Sequence, residues 1–143
     1  MWKFRKEIVA DFLLFLYRDI GLFWEIVLSK RNDITSLQKN KELAKFIKEH
    51  RIIYNTTNAI TIGEKSNSIE ENTFYYTDTG PNVIGGLVKH LRNSIMHCRF
   101  EVSGVGQKSE IYFEDYWRKK QTMAGKIDKT LLKDFMGVLH RAA

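Results

Sequence analysis

The sequence predicts a mainly α protein, an antiparallel bundle of about four helices with a single β-hairpin inserted before the last helix. Apolar residues recur at helical spacing from Arg5 to Leu28, and again from Leu37, from Pro81 and from Asp128. Only after Cys98 does the period change to alternation, and Gly104, Val105 and Gly106 divide that alternating stretch in two. With 143 residues, the chain suits one domain spanning 1–143, large enough for a core that needs no staples.

The first helix, from about Arg5 to Leu28, places Ile8, Val9, Phe12, Leu13, Leu16, Ile20, Phe23, Trp24 and Val27 on one stripe. Lys6, Asp11, Arg18, Asp19 and Glu25 fall mostly off it and read as a solvated face. Polar residues from Arg31 to Ser36 offer Asp33, Thr35 and Ser36 as caps for a second helix over Leu37 to Ala59. Leu43, Phe46, Ile47, His50, Ile53 and Tyr54 line its apolar side, and Lys39, Lys41, Lys45 and Lys48 make the other side basic. His50 reads as a core or boundary histidine.

Thr61 to Thr79 lacks a sustained period and reads as an exposed loop, in which Phe74, Tyr75 and Tyr76 either anchor the loop or stack on unpaired bases. Gly80 and Pro81 punctuate the chain, and Pro at a first helical position has no hydrogen bond to lose, so the third helix starts there. Its buried stripe is Ile84, Leu87, Val88, Leu91 and Ile95, with Gly85 and Gly86 permitting close approach of another helix. Arg99 to Ser103 and Ile111 to Trp117 form the hairpin, with Phe100 and Val102 facing Ile111 and Phe113 on the buried side. Glu114 and Asp115 near its end either reach the site or, the favoured reading, are surface carboxylates paired with Lys119 or Lys120. Trp117 to Lys126 reads as a polar, basic connection, and Asp128 or Lys129 opens the last helix, which runs to Arg141.

A net charge of +6 favours a polyanionic partner, because Lys and Arg that neutralise phosphates release counterions. Cys98 is the only cysteine, which excludes an internal disulfide, a zinc knuckle and a two-cysteine redox site. The apolar run Phe12 to Tyr17, bounded by Asp11 and Arg18, is too short for a membrane span and lacks a signal-peptide cleavage site, so a cytoplasmic protein is expected. No His and carboxylate ligands recur at regular spacing, which argues against a metal centre; no cofactor is expected.

Reactive side chains converge in one stretch, Leu87 to Phe100. Within it Leu91-Arg92-Asn93-Ser94-Ile95-Met96-His97 spells an apolar residue, an Arg, a polar residue and a His four beyond that. This resembles the R-N-x-x-x-H signature of the HEPN superfamily, in a prokaryotic, toxin-like branch, and the two long helices expected before it agree with that family's pattern. The resemblance implies Arg92, Asn93 and His97 as catalytic residues; at 100° per residue His90 and Ser94 share the flank of His97, with Asn93 nearby and Arg92 on the opposite flank, and are candidate substrate-binding residues. It implies RNA as substrate, a homodimer formed through the motif helix, and an antitoxin protein as a possible partner. On a straight helix Arg92 and His97 lie about 140° apart, so either the helix distorts or a two-fold partner completes the cleft.

The chemistry needs no metal, since the RNA 2′-hydroxyl is itself the nucleophile. A histidine of pKa about 6.5 can move protons at neutral pH, and an arginine suits the phosphorane's charge. The expected reaction is endonucleolytic cleavage to a 2′,3′-cyclic phosphate and a 5′-hydroxyl. The alternative is a non-catalytic HEPN-like dimer that binds RNA, a nucleotide or a protein.

Overall fold

A computed structural model describes residues 10–30, 36–77, 80, 82–104 and 109–143. Over these residues the protein is α+β, built on a five-stranded mixed sheet, which corrects the expectation of a mainly α bundle with one hairpin. The first helical rod begins as α1 (10–15), passes through a π-helical segment (Leu16–Leu22) and continues as α2 (Phe23–Ile26). Two helices follow, α3 (Ser36–Lys39) and α4 (Lys41–Glu49), and Asn40 caps α4 by accepting a hydrogen bond from Leu43 N–H at 2.9 Å. Pro81 lies outside the described residues, as do Asp33 and Thr35.

The expected second helix stops after Glu49. His50 leaves helical geometry, Arg51 takes a left-handed conformation (φ 52°), and the chain runs out as strand β1 (Ile53–Thr57). Ile, Tyr and Thr at four of its five positions favour a pleated surface over a helix. Helix α5 (Ala59–Lys65) then crosses over to β2 (Thr73–Thr77), which pairs in parallel with β1, so the stretch expected as a loop holds both a helix and a strand. Phe74 and Tyr76 are fully buried, which makes them anchors of the sheet rather than base-stacking rings.

After α6 (Val83–Met96) come β3 (Phe100–Ser103), β4 (Glu110–Trp117), β5 (Lys120–Asp128) and α7 (Lys129–Ala142). The expected hairpin is present as β3 and β4, with Phe100 opposite Phe113 and Val102 opposite Ile111. The expected polar connection is instead β5, the middle strand of the order β1-β2-β5-β4-β3, antiparallel to β2 and β4. Its centre, Met123, Ala124 and Gly125, is buried, and Gly125 is needed because a Cβ there would lie 2.1 Å from the Phe74 ring.

Alternation along the strands divides the core into two unequal parts. Phe74, Tyr76, Ile111, Phe113, Met123 and Ile127 face the main helical layer, while Ala124 packs with Ile62 and Ile69, beside Tyr75 and Tyr112, under α5. The main layer presses the π segment and α6 together over the sheet. Gly21 sits against Met96, whose Cε would be 2.9 Å from a Cβ added at Gly21. No helix of the described residues is long and apolar enough to cross a membrane.

Candidate active site

The motif helix α6 starts at Asn82, whose side chain accepts from Gly85 N–H at 2.9 Å. Ile84, Leu87, Val88, Leu91 and Ile95 are buried, the stripe expected for a helix lying across a sheet. Its C-terminus closes in a Schellman turn: Cys98 N–H bonds to Ile95 O at 3.1 Å and Arg99 N–H to Ser94 O at 2.8 Å. Cys98 is the left-handed residue of this turn (φ 54°), a place that favours glycine. Ser94 is fully buried, and its hydroxyl donates to Arg99 O at 2.6 Å, fixing the exit of the chain into β3.

The motif side chains point in different directions. His97 is exposed at the helix cap, and its ring makes no hydrogen bond among the described residues. Arg92 reaches the other way, forming an ion pair with Glu25 of α2 and donating from Nη1 to Asn93 Oδ1 at 2.9 Å, while its buried Nε has no partner. No hydrogen bond, ion pair or ring contact among the described residues joins Arg92 to His97.

Asn93 continues the chain of contacts inward. Its Nδ2 donates to Asp115 Oδ2 at 3.2 Å, and the same oxygen accepts from His90 Nδ1 at 2.8 Å. Asp115 Oδ1 accepts from the backbone N–H of Tyr116 at 2.9 Å, and His90 Nε2 lies 3.4 Å from Thr77 Oγ1. Asp115 and His90 are 3% and 7% exposed, so this is an interior pair and not a surface ion pair. Burial by itself would raise the Asp115 carboxyl. The hydrogen bonds from His90 and Asn93, the His90 charge and the Tyr116 N–H outweigh it and hold that carboxyl below the ordinary carboxylate range.

Asp115 thus follows the less favoured of its two expected readings: it reaches the motif helix and is not a surface carboxylate paired with Lys119 or Lys120. Its signal lay in the strand period: it shares a face with Ile111 and Phe113, and a carboxylate in apolar register needs a buried partner. Glu114, one residue away, points to the opposite face and accepts from the hydroxyls of Tyr112 and Tyr116, each at 2.8 Å. No group of three or more His, Cys, Asp or Glu that could hold a metal ion occurs among the described residues.

A family model described as HEPN pEK499 p136 matches residues 8–142 of the chain. Comparison with curated proteins and with solved structures gave no match.

Proposed function

Because the chain belongs to the HEPN pEK499 p136 family, we propose that it is a metal-independent RNA endonuclease whose catalytic residues are Arg92, Asn93 and His97. The observation that carries this reading is the exposed His97 ring at the end of α6, free of side-chain hydrogen bonds among the described residues. An exposed imidazole can come within hydrogen-bond reach of a substrate hydroxyl, which a general base or acid needs. Arg92 is the matching charge, a guanidinium with 32% of its side chain exposed, already steered by Glu25 and Asn93.

In the proposed step the 2′-oxygen attacks phosphorus, the bond from phosphorus to the 5′-oxygen breaks, and the products are a 2′,3′-cyclic phosphate and a 5′-hydroxyl. One His97 takes the 2′-hydroxyl proton, and a second His97, from a two-fold partner, gives a proton to the leaving 5′-oxygen. Arg92 offsets charge on the phosphorane. The homodimer is part of the proposal because Arg92 and His97 diverge on one helix. It is supported by apolar side chains exposed at the end of α6 and on the rod packed against it: Met96 at 37%, Leu22 at 48% and Ile26 at 61%. A toxin held off by an antitoxin protein, in a toxin–antitoxin or phage-defence pair, is the cellular role this activity would serve.

A non-catalytic RNA-, nucleotide- or protein-binding dimer is the second reading, favoured by the engagement of Arg92 with Glu25. Labelled single-stranded RNA incubated with the protein in EDTA decides between them. Cleavage leaving cyclic-phosphate ends, lost in Arg92→Ala and His97→Ala, supports the nuclease. Intact RNA that is nevertheless bound supports the second reading, and wild-type cleavage by His97→Ala removes His97 from the mechanism. DNA, without a 2′-hydroxyl, resists in either case.

A further inference from the structure

Strand β1 is the outermost of the order β1-β2-β5-β4-β3, and no strand lies beyond it among the described residues. Backbone groups alternate sides along a strand, and Ile53 N–H bonds to Asn72 O at 2.9 Å, on the β2 side. Ile53, Asn55 and Thr57 therefore turn their N–H and C=O toward β2, whereas Tyr54 and Thr56 turn theirs outward. Sheet edges are usually guarded by a charge, a proline or a bulge. Strand β1 (Ile-Tyr-Asn-Thr-Thr) has no charge and no proline, and its five pairs with β2 run without a shift of register. The opposite edge, β3, is shorter and carries Glu101.

Alongside the β1 edge runs a groove of about 430 Å³ between the strand and helices α3 and α4. Leu37, Ile47, Ile52 and Ile84 give it apolar walls, and Tyr54 lines it next to the open edge. Tyr54 lies opposite the buried Phe74, so side chains of this parity stand on the main-core face of the sheet. The charged lining among the described residues is Lys48 and Arg51, both exposed and neither in an ion pair, with no carboxylate beside them.

We infer that β1 accepts a strand from a partner protein, an extended segment with apolar side chains at alternate positions and carboxylates at the end that reaches Lys48 and Arg51. Each part of the site asks for a different part of that ligand. The outward groups of Tyr54 and Thr56 need an extended backbone, the groove takes every second side chain, and the two cations take the acid. RNA would leave the apolar walls uncovered, and a second copy of this edge would bring two more cations. The inference is independent of cleavage at Arg92 and His97.

A fluorescein-labelled, end-blocked peptide of alternating valine and threonine with glutamates at both ends tests it by fluorescence anisotropy. It is expected to bind, and its counterpart with lysines at both ends to bind about tenfold more weakly. Methylating the backbone amides of one set of alternate residues abolishes binding and methylating the other set does not, because only one set faces β1. Thr56→Pro removes one outward N–H at an edge position, leaves the bonds to β2, and weakens binding about tenfold. Lys48→Gln combined with Arg51→Gly, which suits the left-handed φ of 52°, weakens it about fivefold and flattens its salt dependence. No binding of the glutamate peptide, or binding that tolerates methylation of both sets, overturns the inference. So does a homodimer that Thr56→Pro dissociates in sedimentation, which gives the edge to a second copy. Peptide affinity unchanged by the loss of Lys48 and Arg51, with affinity for single-stranded RNA lost instead, assigns the cations to phosphate and also overturns it.

Discussion

Replacing Asp115 by Asn tests whether the interior pair is held together by charge. Three donors converge on the carboxylate: His90 Nδ1, Asn93 Nδ2 and the Tyr116 N–H. Asn keeps the shape but offers one acceptor oxygen and brings an NH2 that faces a donor, so at least one buried donor loses its partner. Two effects oppose. Removing the charge relieves its desolvation, while losing charge-assisted bonds and stranding a donor costs about 1–3 kcal/mol for each group affected. The lowered pKa of Asp115 decides the sign, because it means that the folded protein favours the charged carboxylate over the neutral acid despite burial.

Asp115→Asn is therefore expected to be destabilised at pH 7 by about 2–3 kcal/mol, which for a chain of this length lowers Tm by roughly 7–10 °C. The pH dependence follows the same sign. A group whose folded pKa is lowered contributes stability above its unfolded pKa, near 4, and that contribution is lost as pH falls through the folded value. Wild type should lose this contribution below about pH 4, whereas the Asn variant lacks it, so the two converge in acid. Scanning calorimetry of both proteins from pH 7 to pH 3 reads the effect. An Asn variant as stable as wild type at pH 7, or a gap that fails to narrow in acid, refutes the reasoning.

Glu25→Gln removes the carboxylate that partly neutralises Arg92, so RNA affinity at low salt should rise about two- to fivefold, by filter binding; an unchanged or weaker affinity would remove Arg92 from the RNA-facing charge. Gly125→Ala drives a Cβ into the Phe74 ring in the middle of the sheet and should cost about 1–3 kcal/mol in urea denaturation. In Gly85→Ala the new Cβ displaces the capping Asn82 side chain, 2.0 Å from its nearest atom, and should cost about 1 kcal/mol by the same assay. His97→Ala, at an exposed ring without side-chain hydrogen bonds among the described residues, should stay within about 0.5 kcal/mol of wild type, so that any lost activity reports on chemistry and not on folding.

The elements legible in the sequence were those with a single dry face. The last helix begins at its Asp128 cap as expected, because it repeats against one core, and β3 pairs with β4 as expected, although Val102, expected on the buried side, is exposed. The middle strands were illegible for the opposite reason. Strand β2 (Thr-Phe-Tyr-Tyr-Thr) has one face on the main core and the other under α5, which leaves no alternation to detect. Strand β5 carries Gly125 where a ring demands it, and in sequence such a residue reads as a turn. The R-N-x-x-x-H motif was legible as a string, and the match over residues 8–142 bears out the family. The partner of His90 was not, because Asp115 lies 25 positions away on another element and only the β4 pleat brings it under α6.

Asn93 shows why the polar residue of this motif has to be an amide in this chain. Its neighbours on either side have fixed polarity: the Arg92 guanidinium can only donate and the Asp115 carboxylate can only accept. A side chain bridging them must accept at one atom and donate at another, which fixes Asn93 with Oδ1 toward Arg92 and Nδ2 toward Asp115. An Asp there would put two carboxylates in contact, and a Ser would be too short to span both partners. Arg92 is thereby tied through one amide to the buried carboxylate that also accepts directly from His90 Nδ1. Arg92 is balanced by Glu25 outside and linked through Asn93 to a negative charge inside, so its orientation is set from both ends of the guanidinium. That leaves His97 as the motif residue whose ring makes no hydrogen bond among the described residues, the freedom that the proposed proton transfer requires.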